Sequence, residues 1–128
     1  MEFVKNAVNW VEIPVLDFER AKAFYQKIFD FEMPLFPAGE VQMGVLLYDQ
    51  ENGGIGGAIC QGAGYKPAGT DGPKIYLNGG SDLNAVLNRV AGAGGLVVKA
   101  KTLVTPEIGY DACFRDTEGN VIFLHSAA

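Results

Sequence analysis

The chain has 128 residues, 48% of them hydrophobic and 20% charged, the balance of a globular protein with room for one compact domain or two small half-domains. Its net charge of −5, with Lys99 and Lys101 the nearest thing to a basic cluster, argues against phosphate-backbone binding, which needs a basic surface. No apolar run is long enough to span a membrane, MEFVKNAVNW lacks the charged-then-apolar layout of a signal peptide, and Cys60 and Cys113 show no CxxC spacing, so the expectation is a cytoplasmic protein with two free, buried thiols.

Taken in chain order, residues 9–15 predict a strand, and residues 17–30 an amphipathic helix. Phe18, Ala21, Tyr25, Ile28 and Phe29 recur at helical spacing, Glu19, Lys22, Gln26 and Lys27 take the opposite face, and Asp17 is placed to cap the first turn. Residues 31–61 hold three short strands, the last two joined by an Asp49–Gly54 turn. The Gly/Pro-rich residues 62–72 have no period and read as a linker. The order then returns: a strand over 74–79, and a helix over 81–93 capped by Ser81 or Asp82 with a Leu83, Val86, Leu87, Val90 stripe. Three strands follow over 95–126, the last two joined by the turn Asp116-Thr117-Glu118-Gly119-Asn120.

A βαβββ unit used twice predicts an α+β fold: one domain, with module one over residues 8–61 and module two over 73–126. Each helix should lie on the outer face of its sheet, and the two sheets should curve around a cleft. The linker is long enough for the modules to pair within a chain or between two chains. Gly56 and Gly57 would leave room for a pocket beside Trp10. The run Gly53-Gly54-Ile55-Gly56-Gly57 does not meet GxGxxG and no helix follows it, so it is no phosphate cradle; neither cysteine is matched with a histidine and an acid as a nucleophile.

With Asp17-Phe18-Glu19-Arg20-Ala21-Lys22-Ala23-Phe24-Tyr25 in the first half and Phe114-Arg115-Asp116-Thr117-Glu118-Gly119-Asn120-Val121-Ile122 near the end, the whole chain resembles the vicinal-oxygen-chelate superfamily of glyoxalase I, bleomycin-resistance proteins and extradiol dioxygenases. Within it the likeness is to small glyoxalase-related proteins of unassigned activity. The resemblance implies paired βαβββ modules forming a cupped eight-stranded mixed sheet, usually in a dimer. Its enzymes hold a divalent ion on the inner face, where Lewis-acid stabilisation acts on two neighbouring substrate oxygens.

Carried onto this chain, the family's four ligand positions fall at Trp10, near Gly57, between Lys74 and Tyr76, and at Phe123. None offers the His, Cys or carboxylate that zinc, nickel or iron takes, nor do the neighbours Asn9, Val11, Gly56, Ala58, Ile122 and Leu124. Glu12 and His125, two along from Trp10 and Phe123 and on the same faces, are the one remaining metal pair, and two ligands make a weak site. No cofactor is expected. In an acid–base reading, Glu12 between Trp10 and Pro14 would be a desolvated general base, with Tyr76 or Tyr110 as hydroxyl donor.

The sequence therefore points to a homodimer that binds a small apolar or aromatic molecule in a cleft lined by Trp10, Glu12, Gly57, Tyr76, Phe123 and His125. Trp10 and Phe123 would pack on the ligand while Glu12 attracts a cationic or hydroxylated group. Two rivals stand beside it: a lyase, isomerase or dioxygenase with a noncanonical metal on Glu12 and His125, and a non-catalytic structural or regulatory dimer.

Overall fold

The computed structural model describes residues 1–128, the side chain of Ala38 excepted. Helix α1 (Phe18–Phe29) follows strand β1 (Trp10–Pro14), and β2 (Leu35–Ala38), β3 (Val41–Val45) and β4 (Gly56–Gln61) complete the first module. The second runs β5 (Tyr76–Asn78), α2 (Leu83–Val90) with a 3₁₀ turn at Ala91–Ala93, β6 (Leu96–Thr105), β7 (Gly109–Arg115) and β8 (Val121–Ser126). The sheets have the same plan, β1-β4-β3-β2 and β5-β8-β7-β6, each with one parallel pair between its first and last strands. No helix among the described residues is long and apolar enough to cross a membrane.

The helices form where periodicity and caps coincide. Asp17 Oδ1 accepts from Arg20 N at 3.1 Å, and Asp82 Oδ1 from Asn84 N at 3.0 Å. Asp30 closes α1 in the left-handed conformation (φ 52°) and donates its N–H to Gln26 O. The strands are shorter than their sequence runs: residues 46–55, expected to begin as a strand, form a loop after β3.

Within one chain the eight strands stand as two four-stranded sheets, and the helices lie between them rather than outside. Ile13 and Ile59 of the first sheet and Ala112, Phe114, Ile122 and Leu124 of the second join one core with Phe18, Phe24, Tyr25, Leu83 and Val90 from the helices. Phe24 meets Phe114 across the modules at 5.7 Å between ring centroids. The cleft expected between two facing sheets is therefore not formed by a single chain. Each sheet instead presents a helix-free face on the outside.

The modules are pinned by the turn between β7 and β8. Asp116, buried, accepts from Tyr25 Oη at 2.7 Å and from the backbone N–H of Glu118 and Asn120; Asn120 Nδ2 donates to Pro14 O at 2.8 Å. Glu118 accepts from Leu16 N, Asp17 N, both Arg20 Nε and Nη2, and Thr117 Oγ1, at 2.7–3.0 Å. Acidic groups here satisfy the orphan donors at the start of α1 and tie one half of the chain to the other.

Candidate functional site

Strand register decides which side chains stand on the open faces, because paired residues share a face and neighbours alternate. In the first sheet Trp10 pairs with Gly56, Glu12 with Ala58 and Pro14 with Cys60, all on the helix-free side. Gly57 pairs with Val11 on the other side, where an added Cβ would lie 2.5 Å from Val11 Cγ2. Gly57 thus packs closely against Val11 and does not line the open face. Gly56 does, but the Tyr48 ring occupies the space above it and sits edge-on to Trp10, with centroids 6.2 Å apart at 78°. The room expected beside Trp10 is filled.

Glu12 is exposed, so the desolvation expected of it is absent, and both its oxygens are engaged: Tyr65 Oη donates to Oε1 at 2.6 Å and Trp10 Nε1 to Oε2 at 3.2 Å. The hydrogen bond to Glu12 pushes the Tyr65 hydroxyl up to about 12. Cys60, beside that hydroxyl, is pushed up to about 11 by burial and then by the charge of Glu12, which leaves it a thiol at neutral pH. Glu12 is a carboxylate held in a fixed direction by an aromatic frame of Trp10, Tyr48 and Tyr65. Sequence reasoning does not reach the last two: Tyr48 falls in the expected strand before the Asp49–Gly54 turn and Tyr65 in the expected linker. An aromatic residue inside an otherwise Gly/Pro-rich, aperiodic stretch was the available signal for Tyr65.

In the second sheet Tyr76 pairs with Phe123 and Asn78 with His125, on its own helix-free side. The rings of Tyr76 and Phe123 lie 4.9 Å apart, and Lys74 Nζ stands 5.6 Å from the Phe123 centroid. Tyr110 lies on the other side, partly buried against the core under Lys101, and is not on this face. Next to His125 a groove of about 440 Å³ opens between Tyr76, Asn78, Val104, Ile108 and Asp111. Lys99 Nζ is 2.7 Å from Asp111 Oδ1, and His125 Nε2 is 2.6 Å from Ile108 O. A carbonyl only accepts, so that ring nitrogen carries the proton. Burial raises the Cys113 thiol on this face as well.

The structure therefore brings Trp10 to Glu12, and Tyr76 to Phe123 and His125, on two different sheets. Glu12 and His125 share neither a hydrogen-bond partner nor the groove within one chain. Among the described residues no three His, Cys, Asp or Glu side chains cluster as a metal site would require, and the positions that the resemblance implies, at Trp10, near Gly57, between Lys74 and Tyr76 and at Phe123, carry no suitable donors. Within one chain, the residues present do not fit the divalent ion that the resemblance implies.

Residues 7–124 match the family described as the Glyoxalase/Bleomycin resistance protein/Dioxygenase superfamily. No curated protein matches the chain. Among solved structures, a V278E mutant of glyoxalase I from Zea mays is similar at 22% identity and a TM-score of 0.67, over 92% of this chain and 45% of that one. UcmS2 is similar at 24% identity and a TM-score of 0.68, over 98% of this chain and all of its own. The fosfomycin resistance protein FosX from Mesorhizobium loti is similar at 21% identity and a TM-score of 0.60, over 98% and 95%. The chain thus spans less than half of the maize enzyme and nearly all of the other two, and identities this low establish likeness of fold alone.

Proposed function

The chain belongs to the glyoxalase/bleomycin resistance protein/dioxygenase superfamily, and on that premise we propose that it binds a small aromatic molecule bearing a cationic group, without a metal, in a cup completed by a second copy of the chain. The observation that carries this reading is the Glu12 carboxylate, exposed yet fixed by Trp10 and Tyr65 inside an aromatic frame. Aromatic faces around a fixed negative charge attract an organic cation through its charge and its apolar surface together.

The second copy is supported by what the open faces expose. Trp10 is 39% exposed, Phe36 56% and Tyr76 52%, and large aromatic groups grouped on a sheet face call for a cover. The faces are also complementary in charge, Glu12 on one and Lys74 on the other. Placing the first sheet of one copy against the second sheet of another would bring Trp10, Glu12, Tyr76 and Phe123 around one cavity. A metal-dependent reaction would instead need Glu12 and His125 as ligands, and both already hold other partners.

The test uses the chain's single tryptophan, Trp10, as reporter. Benzyltrimethylammonium should quench or shift its emission saturably, its neutral carbon isostere neopentylbenzene should bind about tenfold more weakly, and Glu12→Gln should erase that difference. Equal affinity for the cation and its isostere in the unaltered protein would overturn the reading.

A further inference from the structure

The groove beside β5 and β8 has a hydrogen-bonding pattern of its own. His125 Nε2–H is committed to Ile108 O, so whenever the imidazole is uncharged the lone pair of Nδ1 is left as an acceptor. Asn78, the strand partner of His125, accepts from Gly80 N through Oδ1 at 2.9 Å. That bond orients the amide, and the Nδ2 hydrogens have no partner among the described residues. The groove thus carries an acceptor on one strand next to a donor on its neighbour. Around them the walls are apolar, from Tyr76, Val104 and Ile108. Asp111, the one carboxylate there, is paired with Lys99, so the groove is not built for a cation.

Only a group that donates and accepts at once matches such a pair, and a hydroxyl is the simplest. We propose that this groove is a second binding subsite, taking the hydroxyl of a neutral aromatic alcohol, which donates to His125 Nδ1 and accepts from Asn78 Nδ2 while its ring lies against Tyr76 and Ile108. An ammonium would satisfy only His125. A carboxylate would satisfy only Asn78 and repel Asp111. The subsite extends the proposed binding function and rests on it, but it uses none of the residues that hold Glu12. In a completed cup it would recognise the hydroxylated end of a ligand whose other end meets the first sheet.

The probe is p-cresol, with 4-fluorotoluene as a near match in shape that cannot donate. Backbone amide shifts on titration should localise p-cresol to residues around Asn78, Ile108 and His125, and 4-fluorotoluene should bind about tenfold more weakly, the factor for one lost hydrogen bond. Long-range nitrogen–proton correlation should place the His125 proton on Nε2 in the free protein, with Nδ1 moving on p-cresol binding. His125→Phe keeps a ring and removes the acceptor; Asn78→Asp keeps the bond to Gly80 and removes the donor. Each should abolish the preference for p-cresol without moving the benzyltrimethylammonium response of Trp10. Shifts that cluster around Trp10 and Tyr65 instead, or equal affinity for the two probes, would overturn the subsite and leave the function of Glu12 standing. Loss of the benzyltrimethylammonium response alone would overturn the function and spare the groove.

Discussion

Replacing Glu118 by Gln should cost the fold much of the stability that joins its two modules. Its side chain is fully enclosed while Arg20, its ion-pair partner, is half exposed. Burial alone would raise the carboxyl, but the hydrogen bonds from Arg20, Thr117, Asp17 N and Leu16 N outweigh it and bring it from 4.5 down to about 2. At about 1.4 kcal/mol per unit, that depression stabilises the fold by about 3 kcal/mol when the group is charged. The amide of Gln would also turn an N–H toward one set of donors, so about 3–4 kcal/mol is expected, in the range for breaking a buried pair. Because the folded value lies below the unfolded one, the contribution is complete above 4.5 and is lost as pH falls toward about 2. Urea unfolding of both proteins from pH 7 down to pH 3 measures it: the gap should be full at neutral pH and narrow on acidification. A gap under about 1 kcal/mol at pH 7, or one that does not change with pH, would refute the reasoning.

Tyr25→Phe should remove about 1–2 kcal/mol by taking one hydrogen bond from buried Asp116, measured in the same unfolding experiment. Burial and the charge of Asp116 hold the Tyr25 hydroxyl well above 10, so in an alkaline spectrophotometric titration its phenolate should appear only as the protein unfolds. Cys60 and Cys113 should react slowly with iodoacetamide at pH 7.5 in the folded protein and rapidly in urea; equal rates would contradict the burial-raised thiols. Protein purified without chelator should carry far less than one equivalent of zinc, nickel, iron or manganese per chain by elemental analysis, and one equivalent would return attention to Glu12 and His125.

Local signals were readable and long-range ones were not. The apolar stripe from Phe18 to Ile28, the caps at Asp17 and Asp82 and the repeated strand order follow from periods of a few residues, and the structure has each of them. Gly57 illustrates the limit: alternation says that it faces opposite Gly56, but not which of the two faces the helix, and a step of one residue exchanges the answers. Tyr65 returns to Glu12 over a stretch whose path no periodicity describes. The placement of the helices between the sheets depends on how the modules pack, and either packing would produce the same amphipathic stripes.

The residues that reveal the family are largely those that hold its halves together. Asp17, Arg20 and Tyr25 from one motif meet Asp116, Glu118 and Asn120 from the other, in a network that fixes the modules and touches neither open face. The open faces carry Trp10, Tyr76 and Phe123, and the polar groups beside them, Glu12, Asn78 and His125, are each oriented by a neighbour. On the proposed reading, recognition by this chain falls to those oriented groups, because a site acts through the direction in which its donors and acceptors are held and not through the scaffold beneath it.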